Sequence, residues 1–150
     1  MNVLLATFLL SLVPVGELRI ALPFALALGV NPFFAFLVSV LGNLVIIPLV
    51  YFFLEFVHHR FLHYDHYQNI FDRFMERTRK KVSPKIARWG YLGLALFVAV
   101  PLPVTGAYTG TLAAWFFGLD KYKSFLAISL GVLIAGLIIL FAGLGILQIS

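Results

Sequence analysis

Glu17 and Arg19 are the only charged side chains in the first 54 residues, and they lie between two apolar runs. An ionisable group at membrane depth costs at least about 2.5–3.5 kcal/mol on insertion scales, so such groups are usually paired and face a cavity. The segment Pro14-Val15-Gly16-Glu17-Leu18-Arg19-Ile20-Ala21-Leu22-Pro23 brackets both charges with prolines and a glycine. Proline removes a backbone donor and frees a carbonyl upstream. A broken helical tip here would offer unpaired carbonyls, a helix N-terminus, a carboxylate and a guanidinium together. That set suits an ion plus an anionic or polar group. The competing reading is structural, with Arg19 clamping Glu17 or nearby carbonyls to hold the fold.

A second polar stretch, Pro101-Leu102-Pro103-Val104-Thr105-Gly106-Ala107-Tyr108-Thr109-Gly110-Thr111, has no charge but is dense in hydroxyls and glycines. Thr105, Thr109 and Thr111 supply donors and acceptors, and Gly106 and Gly110 allow close approach of backbone or ligand. One charged tip and one neutral tip suggest a division of labour. The first would handle a proton or ion and the second would accommodate substrate. Close packing of hairpin on hairpin through small residues is the alternative. Asn43 could line a cavity, although Gly42 and Asn43, like Ala127, Gly131 and Ala135, read first as close-packing faces. Pro48 is expected to kink its helix.

All four histidines fall in His58-His59-Arg60-Phe61-Leu62-His63-Tyr64-Asp65-His66. A helix would bring His59, His63 and His66 to one side, which is compatible with zinc, but no ligand from elsewhere is implicated and no metal site is assigned. With no cysteine there is no disulfide and no thiolate nucleophile or ligand. No Gly-rich phosphate loop, hydrolytic triad or pair of catalytic carboxylates occurs, so the sequence reads as neither an enzyme nor a cofactor protein.

The elements that position these residues follow from composition and spacing. At 62% hydrophobic and 11% charged, with a mean hydropathy of +1.02, the chain is not a soluble globular protein. Residues 4–53 laid on 93–142 match without a gap, with 13 identities in 50 pairs, including Pro14/Pro103, Gly29/Gly118, Phe36/Phe125 and Gly42/Gly131. Chance would give roughly four or five, so the chain carries an internal repeat. Each copy reads as a short apolar run, a proline-interrupted polar stretch, another short run and one long apolar run. Phe33–Val57 and Ser124–Leu147 are long enough to span a bilayer, whereas Val3–Val13 and Tyr91–Val100 are about half that length. Broken backbone survives at depth only where protein or a water-filled cavity satisfies its amides. Each half therefore reads as a re-entrant helical hairpin followed by one spanning helix.

Residues 58–90 hold eight of the eleven Lys/Arg, and this basic linker is expected on the cytoplasmic side. Gly29–Pro32 then lies outside, free of Lys/Arg, while its repeat mate Gly118–Lys123 lies inside with Lys121 and Lys123. The two copies are thus opposite in orientation. A four-crossing, parallel arrangement would put those two lysines outside. In the linker, Ile70, Phe71, Phe74 and Met75 share one helical face opposite Asp72, Arg73, Glu76 and Arg77, as in a helix lying in the headgroup plane. Ser83–Pro84 reads as the start of a further helix that enters the membrane near Trp89 and Tyr91.

Glu17-Leu18-Arg19 followed by Ile20 to Gly29 resembles the E-L-R-x-x-x-P signature of the putative small multidrug-export family. Pro101 to Gly110 resembles that family's second motif, and the resemblance runs over nearly the whole chain. The family is regarded as a distant relative of the DedA membrane proteins, which are linked to moving lipids or lipid carriers between leaflets. The resemblance implies Glu17 and Arg19 as coupling or substrate residues, with the Pro101–Gly110 tip as the opposing wall. The arginine that DedA relatives carry in the second hairpin has no counterpart between Arg88 and Lys121.

The sequence therefore describes an all-α integral membrane protein forming one domain over residues 1–150. Repeat 1 covers 3–57, the basic linker with its amphipathic interfacial helix 58–90, and repeat 2 covers 91–148. The expected function is secondary transport or lipid translocation coupled to H+ or Na+, in the plasma membrane and as a homodimer. The expected ligands are membrane lipid and a small-molecule or lipid substrate, with no nucleic acid. The site residues are Pro14, Glu17, Arg19, Pro23, Asn43, Pro101, Pro103, Thr105, Gly106, Tyr108, Thr109 and Gly110. An ion channel and a lipid-binding scaffold that uses the basic loop remain the alternatives.

Overall fold

Local signals set the helix ends. In the computed structural model, α1 (Val3–Leu12) begins where the Asn2 side chain accepts the Leu4 N–H and stops ahead of Pro14. After a turn at 13–16, α2 (Glu17–Ala27) runs to Gly29, whose φ of 74° suits glycine. Asn31 then caps α3 (Pro32–Phe52), with proline at the first turn, where its missing N–H costs nothing. A π-helical turn at Phe53–His58 and a short α4 (His59–Phe61) lead to α5 (Asp65–Ala99). The chain continues with α6 (Ala107–Phe116) and ends in α7 (Lys121–Ile149). The structure describes residues 2–61, 63–102 and 105–149, without the side chains of residues 57, 58, 61, 75, 78, 81–87 and 147. Pro103 lies outside the described residues, so its place in the second tip is not assigned.

The 89-residue offset reappears in the turns. Leu28, Gly29 and Val30 donate to the carbonyls of Phe24, Leu26 and Ala25, and Phe117, Gly118 and Leu119 donate to those of Ala113, Trp115 and Ala114. Asn31 Oδ1 accepts from Phe33 N, and its mate Asp120 accepts through Oδ1 from Lys123 N at 2.9 Å. In the tips, Gly16 N bonds Val13 O and Thr105 N bonds Leu102 O. The packing repeats as well. α1 lies on α2 and α3, and α2 on α3, while α5 lies on α6 and α7, and α6 on α7. Between the halves α2 meets α7, α6 meets α3 and α3 meets α7. Gly42 admits Ser11 and the Phe8 carbonyl of α1, and its mate Gly131 admits Val98 and the Ala95 carbonyl of α5.

The core draws on both halves, from Leu18 and Val40 through Ile46 and Ile47 to Val98, Ala113, Ile128 and Ala135. Pro32–Phe56 and Lys121–Ile146 are long and apolar enough to cross a membrane. Much of their surface faces outward and is itself apolar, as at Leu41, Leu49, Leu133, Leu137 and Phe141, which suits lipid as the solvent. An ion pair between Lys121 and Glu55 ties the start of α7 to the π-helical turn.

Two expectations about the linker are corrected. Helix α5 passes through Ser83–Pro84 without a new start, and its break lies at Gly90, with φ 56° and ψ −129°. Glycine reaches that conformation with no Cβ penalty, so the direction change falls there. The apolar face of the linker is also not wholly given to lipid. Phe71 stands edge-on to Trp115 of α6, 6.4 Å between ring centroids, and packs against the core.

Candidate functional site

The two tips meet at the centre of the molecule. Glu17, at the first position of α2, takes a φ of 42°, an uncommon value for a residue with a Cβ. Strained backbone of this kind persists where the surrounding structure holds it, often at functional sites. Its carboxylate is buried, 7% exposed, against the N-terminus of α6. Oε1 accepts the Tyr108 N–H at 3.3 Å, and the Ala107 N–H faces the same group. A carboxylate is favoured there because the first amides of a helix lack intrahelical acceptors and carry the positive end of the dipole. Gly106, the N-cap of α6, has no side chain to do this work, and a Cβ on it would collide with the Glu17 carboxylate. Glu17 thus caps a helix of the other repeat across its own repeat mate, Gly106.

Arg19 crosses the same boundary. Its Nη2 donates to Thr105 Oγ1 at 2.7 Å. The Thr105 hydroxyl in turn lies 2.7 Å from the Val100 carbonyl and 2.9 Å from that of Leu102, in the turn that follows α5. The Tyr108 hydroxyl reaches back and donates to the Leu12 carbonyl at the end of α1, at 2.6 Å. Among the described residues Glu17 and Arg19 form no direct ion pair with each other. Each is held by the opposite tip, and the two charges still attract one another without direct contact.

These groups line a cavity of about 440 Å³ bounded by Pro14, Gly16, Glu17, Arg19, Thr105 and Thr109 on its polar side and by Phe74, Tyr108 and Leu112 beyond. That volume lies within the range of small-molecule sites. A second, apolar cavity of about 560 Å³ shares Phe74, Tyr108 and Leu112 and extends between the end of α3 and the linker part of α5. Behind the charges, a void of about 10 Å³ brings Asn43 alongside Glu17 and Arg19. Asn43 Nδ2 also donates to the carbonyls of Ser11 and Ser39, at 3.3 and 3.4 Å, tying α1 to α3.

The remaining residues singled out from the sequence divide. Pro14, Thr105 and Thr109 border the larger polar cavity, whereas Pro101 is not among its walls. Pro23 lies on the exposed face of α2, and what it can contribute is the Arg19 carbonyl it leaves unbonded one turn earlier. Gly110 is a packing position, where a Cβ would stand 2.6 Å from Val98 Cγ2. Phe74 and Leu112 were missed. Phe74 carried a signal, as part of the apolar stripe of the linker, but a stripe does not say whether lipid or protein covers it.

The family model described as "Putative small multi-drug export protein" matches residues 17–138, a span that begins at Glu17 and takes in the second tip, α3 and much of α7. No curated protein and no solved structure matches the chain. With that family and its two apolar helices, the chain is a membrane protein. It belongs to the putative small multi-drug export protein family.

Proposed function

We propose that the protein is a secondary transporter whose substrate and coupling ion meet at the interface of two inverted repeats. Each repeat is a re-entrant hairpin (α1–α2, and the end of α5 with α6) followed by one spanning helix, α3 or α7. The basic linker is cytoplasmic and the membrane is the plasma membrane. Two spanning helices leave much of the hairpins open to lipid, and a homodimer would cover that surface. The observation that carries the reading is that Glu17 and Arg19 each reach across the interface into one cavity walled by both tips. Broken helices meeting at a repeat interface are the recurrent construction of transporter sites.

The roles follow from the contacts. Glu17 is held by backbone N–H groups that favour its ionised form. Taking up a proton would remove that attraction and release α6, so that the two tips separate. Arg19, spent on a single hydroxyl, keeps donors for an acceptor group on the substrate. The adjoining apolar cavity suits a substrate with an apolar part, such as a lipid, a lipid carrier or an amphipathic drug.

The test is flux in proteoliposomes under an imposed pH gradient, for wild type and Glu17→Gln, with a fluorescent lipid-carrier analogue and a cationic dye as substrates. Gradient-driven movement in the wild type that is lost in Glu17→Gln is the expected result. Movement indifferent to the substitution would leave Glu17 as a structural cap. A conductance without coupling would make the protein a channel.

A further inference from the structure

The linker part of α5 carries a second polar stripe that the transport site does not use. Asn69, Asp72, Arg73, Glu76 and Arg79 follow one another at helical spacing and, with Phe116 at the end of α6, line a groove of about 380 Å³. The Arg79 guanidinium stands over the Phe116 ring, 6.0 Å from its centroid. Among the described residues neither guanidinium forms an ion pair with either carboxylate, and all four side chains are exposed. The opposite face of this helix is the one that carries Phe71 onto Trp115.

We propose that this groove binds a phosphoethanolamine headgroup of a membrane phospholipid. The argument is charge complementarity. The rest of the loop is strongly basic, with Arg77, Lys80, Lys81, Lys85 and Arg88, and would attract any anionic surface. The groove differs because its two guanidiniums are matched by two carboxylates, so its complement is a zwitterion. Arg73, Glu76 and Arg79 alternate in sign at steps of three residues, about 4.5 Å of helix rise each. That is the scale of a phosphate and an ammonium joined by a two-carbon linker. The phosphate lies against a guanidinium, which can bond it bidentately. The ammonium lies against Glu76 and Asp72, with its N–H groups donating to the carboxylates. A choline headgroup carries the same charge but has no N–H to donate, and a glycerol headgroup has no cation. The exposed Phe116 ring lies beside the acyl chains. The proposal rests on α5 lying in the headgroup plane and is independent of transport.

The experiment is native mass spectrometry of the purified protein in detergent, titrated with phosphatidylethanolamine, phosphatidylcholine or phosphatidylglycerol of one acyl composition. The wild type is expected to retain the ethanolamine lipid about tenfold better than the choline lipid, the scale of one charge-assisted hydrogen bond. The paired substitution Asp72→Asn with Glu76→Gln should erase that preference without weakening the glycerol lipid. Arg73→Gln with Arg79→Gln should lower retention of the ethanolamine and choline lipids alike. These side chains are exposed, so the variants are expected to fold, and thermal unfolding checks that they do. A wild type that retains the ethanolamine lipid no better than the choline lipid, or an ethanolamine preference untouched by the acidic substitutions, would overturn the proposal, whatever the flux assay shows.

Discussion

A single missing methyl group makes the central contact possible. Glu17 approaches the amides of α6 only because residue 106 is glycine, and the backbone of Glu17 adopts its uncommon φ to do so. Gly106→Ala puts a carbon where the carboxylate lies, and overpacking of this kind costs about 1–3 kcal/mol. We expect Gly106→Ala to lower the thermal midpoint of the purified protein and to abolish flux. The double variant Gly106→Ala with Glu17→Ala should recover stability but not flux. Recovery of both would mean that Glu17 has no part in transport. Thr105 belongs to the same argument, since it relays the ends of α5 to Arg19. Thr105→Val removes the acceptor and leaves a part-buried guanidinium with one partner fewer, at a cost of about 1.5–3 kcal/mol.

Between elements, the repeat is a packing rule written twice. Gly42 and Gly131 sit where α1 and α5 press on the long helix of their own half, with atoms inside the reach of any Cβ. Gly145, further along α7, meets nothing within 4 Å. Glycine-to-alanine changes at these places should therefore differ in sign. Gly131→Ala forces α5 and α7 apart and should destabilise, whereas Gly145→Ala should be neutral or stabilising, by up to about 1 kcal/mol from helix propensity. Thermal unfolding in detergent compares the two, and equal losses would contradict the packing. This layer of the fold was legible in advance, because identical glycines at a constant offset within apolar runs point to close approach. The break at Gly90 was not. Ser83–Pro84 has the composition of a helix start, and a glycine inside a helical stretch has no mark that separates a kink from a tolerated residue.

For the whole molecule the open question of orientation has a direct measurement. The chain contains no cysteine, so single cysteines report accessibility without background. Val30→Cys, in the turn between α2 and α3, and Leu119→Cys, at its repeat equivalent before α7, mark corresponding ends of the two halves. Inverted repeats place them on opposite sides of the membrane, and a membrane-impermeant thiol reagent should label one in intact cells and the other only after permeabilisation. Labelling of both from the same side would establish the parallel, four-crossing arrangement. Lys121 and Lys123 beside one turn, with no Lys/Arg beside the other, favour the first outcome.

Sequence by itself determined the elements of this protein and their duplication. Run length, proline and glycine placement and capping residues act locally, so two copies with the same signals form the same turns, down to Asn31 and Asp120 at matching helix starts. It also marked Glu17 and Arg19, because charges are rare and costly in an apolar chain. Only the tertiary structure decided what those charges touch. Each hydrogen-bonds a tip far away in the chain, Glu17 through Tyr108 N at a separation of 91 and Arg19 through Thr105 at a separation of 86. Which apolar side chains of the linker meet protein was likewise settled by packing, as at Phe71. The physical reason is the same in both cases. Helix signals are carried by neighbours in the chain, whereas partners across the interface between the halves are chosen by shape, and shape exists only once both halves have folded.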